Sequence, residues 1–170
     1  KIGYCSEGEY AGRVVVPSFN ENGYANYFIA RAYGGAWPRY KNPPASRDII
    51  FNELYVNWDE DIVIVEGVFD AIKAGNAIPL LGSTLRENSA LFQAIVKNGR
   101  RVFLALDEDA SKKARSIARL LLKYGVEVHE VDTSGIEDVG DMSKNEFQSR
   151  KNNAAIVQKD NYLLQRLFAI

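Results

Sequence analysis

The sequence predicts a two-lobed α+β protein, in which a small mixed N-terminal lobe precedes an α/β lobe with a mainly parallel sheet flanked by helices. Three observations predict this fold. Residues 12–51 are rich in β-type residues and broken by turns, whereas residues 62–131 alternate short apolar runs with helical patterns. The chain has 170 residues, 46% of them hydrophobic, which is enough to bury a core in each lobe. Strands that alternate with helices are typical of parallel sheets covered by helices.

The first lobe reads as two strands, a turn and a long loop. Residues 13–16 are predicted to form a strand that ends at Pro17, because proline cannot donate to a sheet. Residues 20–23 have the composition of a turn, and residues 24–32 read as the second strand. Glycine and proline pairs then predict a loop over residues 33–48, a place where binding groups tend to lie.

The second lobe begins with a continuous apolar run, which is typical of a strand buried on both faces. Apolar residues spaced for one helix face, with basic residues on the opposite face, follow the third strand. The expected strands cover residues 62–65, 78–81, 102–106 and 126–131, and the expected helices lie near residues 67–74, 91–96 and 112–123. We expect domains at 1–57 and 58–150, then a terminal helix within 151–170 that is centred on 159–168 and could begin a helical subdomain.

Composition excludes several classes of protein. The apolar runs are too short to cross a bilayer, and no basic-then-apolar leader opens the chain. Cys5 is the single cysteine, so no disulfide framework exists and a reducing compartment fits. The only methionine is Met142, so we expect the chain to be a segment of a longer protein or a processed product. No Gly-x-Gly-x-x-Gly follows a strand, which disfavours a dinucleotide-binding domain.

The net charge of −1 is unevenly distributed. Residues 1–57 carry six basic and five acidic residues, residues 58–150 carry twelve and sixteen, and residues 151–170 carry three and one. No part of the chain has the bulk positive charge of a general polyanion binder. The acidic excess lies in the middle segment, where a metal site would need it.

Carboxylates stand at the carboxyl ends of two predicted strands, which is where open parallel sheets bind ligands. Glu66 follows the first strand, and Asp70 lies about one helical turn further on. Asp107 and Asp109 follow the third strand and would share one side of an extended chain. Asp138 and Asp141 lie in a loop after the last strand.

Clustered carboxylates repel one another unless a cation joins them, and Mg²⁺ prefers oxygen ligands. The sequence therefore predicts a magnesium site at this edge of the sheet, with one or two ions that serve phosphoryl transfer. Taken singly, each acid is more typical of a helix cap or a solvated turn, so the prediction depends on two acid pairs with the correct spacing at strand ends. Asp109, for example, could cap the helix that starts near Ser111, and Asp138 and Asp141 could be plain turn residues.

The segments Glu66–Asp70, Gly82–Leu85 and Asp107–Asp109 together resemble the Toprim domain. That domain occurs in bacterial-type primases, topoisomerases and some nucleases, and its hallmark is a Glu and an Asp-x-Asp that jointly bind Mg²⁺. The upstream segments Gly12–Pro17 and Phe28–Asn52 follow the order seen in bacterial and phage replicative primases. The combined resemblance covers roughly residues 10–145 and implies a DNA primase catalytic core.

The resemblance implies a DNA-directed RNA polymerase that makes short RNA primers on single-stranded DNA from NTPs, with Mg²⁺ or Mn²⁺ as cofactor. Glu66 would be a general base or a metal-organising carboxylate. The implied catalytic residues are Glu66, Asp107 and Asp109, and the implied metal ligands are these three with Asp70, Asp138 and Asp141. The implied template or nucleotide path consists of Arg13, Arg31, Arg39, Tyr40, Lys41 and Asn42. The charges and the tyrosine ring suit phosphates and bases.

The resemblance also implies a replicative helicase, fused or separate, as partner, no membrane association, and a cytoplasmic location in a bacterial cell, with phage origin open. In the acidic segment at 137–141, Asp138 and Asp141 are spaced further apart than the close Asp pair of bacterial enzymes, which is more typical of phage enzymes. This leaves open which of Asp138 and Asp141 binds metal. The usual small residues before Arg31 are replaced by Phe28–Ala30. The zinc module of primases is not seen, since Cys5 and His129 cannot form a four-ligand site, and His129 is expected to be structural.

Three other functions fit parts of the sequence. A Toprim nuclease would use the same metal site, and the segment Arg39–Pro43 discriminates against it. A haloacid-dehalogenase-type phosphatase would make Asp107 a covalent nucleophile but leaves Glu66 and Asp70 without a role. A non-catalytic nucleic-acid-binding module would have no need of the acidic set. A topoisomerase would require a nucleophilic tyrosine domain that is not seen here.

Overall fold

The computed structural model describes residues 2–136 and 138–158, and the chain divides into two compact units between Val56 and Asn57. Within these residues, the first unit holds an antiparallel sheet, and the second holds a five-stranded sheet with four helices. This α+β architecture with a mostly parallel sheet confirms the predicted fold class. Among the helices in the described part of the chain, none has the length and apolar character needed to cross a bilayer.

The sheet of the first unit has the order β1-β2-β3, with strands at Gly3–Cys5, Arg13–Phe19 and Ala25–Ala32. The prediction that Pro17 ends β2 was wrong, because the strand continues to Phe19. Strand β1 pairs only with residues 13–15, so β2 has a partner on one side alone at Pro17. A proline is tolerated there because its missing N–H can face the open side. Strand β1 itself was not predicted.

The chain from β2 to β3 turns as predicted, and the loop after β3 is more ordered than predicted. The Asn20 side chain accepts hydrogen bonds from the N–H groups of Asn22 and Tyr24, at 3.1 and 2.9 Å, which closes the turn. After β3, Tyr40 returns to form a β-bridge with Arg31, so residues 33–39 form a closed loop within the predicted loop of 33–48. A short 3₁₀ turn at Glu53–Tyr55 ends the unit.

The sheet of the second unit has the order β5-β4-β6-β7-β8 and is parallel except for β8. Every residue of β4 and β6 is buried, as their continuous apolar runs predicted. The strands are β4 Ile62–Val65, β5 Ala77–Pro79, β6 Val102–Ala105, β7 Val128–Glu130 and β8 Ala155–Ile156. Their helices are α1 Val68–Ala74, α2 Ala90–Asn98, α3 Ser111–Lys123 and α4 Lys144–Asn152.

Helices cover both faces of this sheet. One face packs against α1 and α4 through a cluster that includes Val65, Ala105 and Phe147. The β4–β5 connection, which holds α1, runs across the sheet in the opposite direction to the β5–β6 and β6–β7 connections, which hold α2 and α3. Right-handed crossovers therefore place α2 and α3 on the other face. The strand order therefore reverses between β4 and β6, and the carboxyl ends of these strands form the crevice where such sheets bind ligands.

The end of the chain differs in part from the prediction. Helix α4 and the antiparallel strand β8 were not predicted, although both lie in or beside the segment expected to be a terminal helix. The helical pattern at 159–168 lies outside the described residues. His129 has the structural role that was expected, since its ring stacks on Phe103 with centroids 4.8 Å apart and its Nε2 lies 2.7 Å from Glu127.

Candidate metal centre

Two acidic residues reach the crevice because they follow neighbouring strands. Val65 of β4 pairs in register with Ala105 of β6, and Glu66 and Asp107 come one and two residues later. Residues 108–110 then form a 3₁₀ helix, so the expectation of an extended chain with Asp107 and Asp109 on one side was wrong. Asp109 is exposed, and α3 begins without a side-chain cap, so Asp109 does not cap this helix.

Asp70 enters the crevice from the first turn of α1. Its side chain is buried, and its Oδ2 accepts a 2.7 Å hydrogen bond from the N–H of Gly67, the residue that caps the helix. A Cβ at Gly67 would lie 3.2 Å from this oxygen, so glycine is what allows the close approach. Burial raises the pKa of the Asp70 carboxyl to about 7, against the Gly67 hydrogen bond, with further upward contributions from Asp138 and Asp107.

The loop after β7 supplies the third carboxylate. Asp138 precedes a 3₁₀ turn at Val139–Asp141, and its Oδ1 accepts a 2.8 Å hydrogen bond from the N–H of Gly140. A Cβ at Gly140 would lie 2.9 Å from this oxygen and 3.1 Å from Oδ1 of Asp70. A larger residue at position 140 would therefore force at least one of these two carboxylates to shift. Asp141 is exposed, and Glu137 lies outside the described residues.

Asp70, Asp107 and Asp138 form a carboxylate triad, in which one oxygen from each residue lies within 4.8 Å of the others. The pKa of Asp107 is raised chiefly by burial, against a hydrogen bond from the N–H of Val139, while the charges of Asp138 and Asp109 raise it further. Carboxylates held this close repel one another, and a hard divalent cation with oxygen ligands relieves that repulsion. In the described part of the chain, Glu66, Asp109 and Asp141 lie outside this triad.

Glu66 lies beside the triad and faces a lysine that was not predicted. Its Oε2 is 3.6 Å from Nζ of Lys113, and both side chains are about one-quarter exposed. Its Oε1 is buried with no hydrogen-bond partner among the described residues. Burial raises the pKa of Glu66, Lys113 opposes this, and Asp107 and Asp109 reinforce it. A buried carboxylate oxygen without a donor is a position where a cation or a substrate proton is expected.

The basic residues predicted to meet nucleic acid all lie in the first unit, but they are engaged differently. Arg13 is buried, and its guanidinium donates hydrogen bonds to the carbonyls of Ala11 and Pro38, so it stabilises the loop 33–39. The Oδ1 of Asn42 accepts from the N–H of Ala30 at 3.2 Å.

The remaining members of that set lie around tyrosine rings. The guanidinium carbons of Arg31 and Arg39 lie 5.8 and 5.9 Å from the centroid of the Tyr40 ring. Lys41 pairs with Glu9 at 3.3 Å and lies over the ring of Tyr10 at 5.3 Å. Arg31, Arg39 and Tyr40 therefore combine positive charge with an aromatic ring at one place.

The sequence of the chain resembles that of a known DNA primase. No family model matches the chain. A DNA primase of Thermotoga maritima is 30% identical over 154 residues, which cover 81% of this chain and 27% of the relative. The chain thus spans about a quarter of the length of the curated relative that it matches.

Solved structures resemble the fold over most of the chain. The zinc-binding and RNA polymerase domains of the Aquifex aeolicus primase match with a TM-score of 0.72 at 25% identity, over 89% of this chain and 42% of that one. A DNA primase domain from Pseudomonas aeruginosa matches with a TM-score of 0.72 at 20% identity, over 99% and 60%. A DnaG primase catalytic domain bound to single-stranded DNA matches with a TM-score of 0.73 at 19% identity, over 91% and 56%. In sequence the chain is similar to part of a DNA primase, and in fold it is similar to the catalytic and RNA polymerase domains of primases.

Proposed function

We propose that this chain is the catalytic core of a DNA primase, a metal-dependent nucleotidyltransferase that synthesises short RNA primers on single-stranded DNA from NTPs. The observation that carries the proposal is the carboxylate triad. Three separate segments bring Asp70, Asp107 and Asp138 together at the reversal point of the sheet, in a fold shared with primase catalytic cores. Burial raises the pKa of two of its members, Asp70 and Asp107, and a cluster of this kind has little structural use, so its expected use is to hold a cation.

The residues fit a divalent metal ion. Asp70, Asp107 and Asp138 would hold Mg²⁺ or Mn²⁺, and Glu66 would complete the site through its unpartnered Oε1. Asp109 and Asp141 are exposed and remain proposed as further ligands, for a second ion or for bridging waters. When bound, the ion would neutralise phosphate charge and polarise the reacting oxygens.

The reaction forms a bond between the 3′-oxygen of one nucleotide and the α-phosphorus of the next. The bond from that phosphorus to the pyrophosphate oxygen breaks, and pyrophosphate leaves. Glu66 is proposed either to take the proton of the 3′-hydroxyl or to organise the metal, and its raised pKa suits the first role. Lys113 would hold the Glu66 carboxylate in place through its 3.6 Å ion pair. Positioning and charge neutralisation would carry most of the rate enhancement.

We propose that the first unit guides the template or the incoming nucleotide. Arg31, Arg39 and Tyr40 are the strongest candidates because they combine positive charge with an aromatic ring. Lys41 would contribute a positive charge. Arg13 and Asn42 would act indirectly, through hydrogen bonds to Pro38 of the loop and to Ala30 of β3. In this proposal residues 1–57 form the template lobe, residues 58–150 form the metal-binding lobe, and residues 151–170 lead into a helical subdomain.

The partners of the whole protein follow from the same proposal. Single-stranded DNA and NTPs would be its substrates, and a replicative helicase, fused or separate, would deliver the template. The protein would act in the cytoplasm of a bacterial cell, and the gene could be of phage origin.

Primer synthesis on single-stranded DNA tests the proposal. We expect the chain to make short RNA with NTPs and Mg²⁺ or Mn²⁺, and Asp107→Asn to reduce synthesis at least about 100-fold, since it removes a charge from the triad. Asp59→Asn is the matched control, because Asp59 is a surface residue whose side chain is 93% exposed. It should leave synthesis unchanged.

Three other results would replace the proposal. Metal-dependent degradation of the template without RNA synthesis would indicate a Toprim-type nuclease, in which water takes the place of the 3′-hydroxyl. Single-stranded DNA binding with no metal binding and no chemistry would indicate a non-catalytic module. Release of phosphate from small phosphate esters through a covalent Asp107 intermediate would indicate a phosphatase.

A further inference from the structure

One face of the first unit's sheet is buried at one end and exposed at the other. Cross-strand partners in an antiparallel sheet point to the same side. At the buried end, Val16 pairs with Ile29, and both are about 5% exposed. At the other end, the same face carries a row in which Tyr4 pairs with Val14 and Val14 pairs with Arg31.

Two further tyrosines extend this row. Tyr40 bridges to Arg31, so it continues the row across the sheet. Tyr33 follows β3 and places its ring 6.5 Å from that of Tyr4, at an interplanar angle of 88°. Tyr4, Tyr33 and Tyr40 are 61%, 73% and 43% exposed. We call these three side chains the tyrosine platform.

Hydrogen bonds hold the backbone of the platform in place. The N–H of Tyr33 donates to the carbonyl of Gly12 at 2.8 Å, and the N–H of Ala32 donates to the carbonyl of Arg39 at 2.8 Å. Beneath the loop, buried Arg13 donates to the carbonyl of Pro38 at 3.0 Å. A backbone held by such contacts loses little further conformational entropy when a ligand binds.

We propose that the tyrosine platform stacks the unpaired bases of single-stranded DNA, while Arg31 and Arg39 neutralise neighbouring phosphates. The inference deepens the proposed function and rests on it for the identity of the template. Tyr4 and Tyr33 are the residues that it adds, and neither was singled out by the sequence.

The chemistry of the surface favours single-stranded DNA over other partners. Stacking needs open aromatic faces beside cations, and every base has a π-face that can use them. Duplex DNA hides these faces within its own stack. Acidic residues are not part of the row itself, so the surface complements a polyanion. The two guanidiniums near Tyr40 lie 5.8 and 5.9 Å from its ring, so charge and stacking would act together.

Fluorescence anisotropy with a labelled oligothymidylate tests the platform, using the 170-residue chain in EDTA so that metal binding has no influence. We expect Tyr4→Leu and Tyr33→Leu each to raise the Kd about tenfold, the size of one lost base stack. Tyr33→Phe keeps the ring and should retain affinity within about twofold. Circular dichroism should show native secondary structure in every variant.

Two comparisons make the effect specific to stacking. Tyr24→Leu and Tyr55→Leu are matched controls, because these tyrosines are 72% and 67% exposed elsewhere in the same unit. They should leave the Kd unchanged. A strand of sugar–phosphate without bases should bind more weakly, and Tyr33→Leu should not weaken it further. The salt dependence should fall for Arg31→Gln and stay constant for Tyr33→Leu.

Several results would overturn the platform. These are no measurable binding by the unmodified chain, equal losses for Tyr33→Leu and Tyr24→Leu, equal losses on strands with and without bases, or preference for duplex DNA. Because the assay needs neither metal nor NTPs, its failure is separate from that of the proposed function. A chain that binds through its tyrosines but makes no primers refutes only the latter.

Discussion

Replacing Asp70 by asparagine should make the metal-free protein more stable at neutral pH, although it removes a buried hydrogen-bonding acid. The pKa of Asp70 rises from its ordinary 3.8 to about 7 on folding. At about 1.4 kcal/mol per pH unit, this corresponds to about 4 kcal/mol of destabilisation when the carboxylate is charged. Because solvent reaches the edge of the site, screening reduces this, and we expect about 2 kcal/mol.

The sign of the effect depends on pH. Below pH 4 the acid is protonated in both the folded and the unfolded chain, so the substitution should change stability little. Between about pH 4 and pH 7 the unfolded chain loses this proton while the folded protein keeps it, so the penalty grows over this range and reaches its full value above pH 7, where both states are ionised. An asparagine side chain at this position would carry no such penalty, and its amide oxygen could still accept from the N–H of Gly67.

Urea unfolding followed by circular dichroism at 222 nm is a suitable assay, because α1 to α4 all lie in the second unit. In EDTA, Asp70→Asn should gain about 2 kcal/mol at pH 8 and close to nothing at pH 4. Asp59→Asn should show no such difference. Mg²⁺ at 100 times its Kd should stabilise the unmodified protein by about 2.7 kcal/mol and the variant much less. Loss of stability at pH 8 in Asp70→Asn would refute the conclusion that burial and the neighbouring carboxylates together destabilise the charged form of Asp70.

Three further substitutions test the contacts around the site. Gly140→Ala adds a methyl group 2.9 Å from one triad oxygen and 3.1 Å from another. Calorimetry should therefore show weaker Mn²⁺ binding, and the free energy of unfolding should fall by about 1–3 kcal/mol. Gly3→Ala, where the added methyl group meets open space, should show neither effect. Lys113→Ala removes the ion pair that lowers the pKa of Glu66. The acid limb of the pH profile of primer synthesis should therefore move to higher pH. An equal shift in Lys112→Ala, which replaces an exposed lysine, would contradict this. Thr133→Val removes a buried 2.9 Å hydrogen bond to the carbonyl that follows β6, so urea unfolding should show a loss of about 1–2 kcal/mol that Thr133→Ser does not share.

The parts of the fold that rest on local pattern could be predicted from the sequence. The apolar runs at β4 and β6 predicted the correct strands, and their order predicted that Glu66 and Asp107 would lie at one edge. The helical offset that placed Asp70 near this edge was also correct, because α1 starts at Val68. These features depend on spacing within a few residues, which sequence displays directly.

Features that depend on distant contacts could not be predicted. Strands β1 and β8 have three and two residues, too few to show a period, and of α4 only Phe147 is buried. Lys113 looked like part of a solvated helix face, because only the tertiary fold brings it to Glu66. The extended geometry assumed for Asp109 failed because the chain turns into a 3₁₀ helix as soon as β6 ends.

Binding of Mn²⁺ to Asp138→Asn and Asp141→Asn tests the carboxylate triad most directly. Both residues lie in one short turn, but Asp138 contributes to the triad and Asp141 is exposed. The amount of free Mn²⁺, measured by electron paramagnetic resonance, should show that Asp138→Asn weakens binding at least about tenfold, the loss of one charged ligand. Asp141→Asn should keep the tightest site at full affinity and lose at most a weaker second ion. If Asp141→Asn abolished binding and Asp138→Asn retained it, the triad would not be the metal centre.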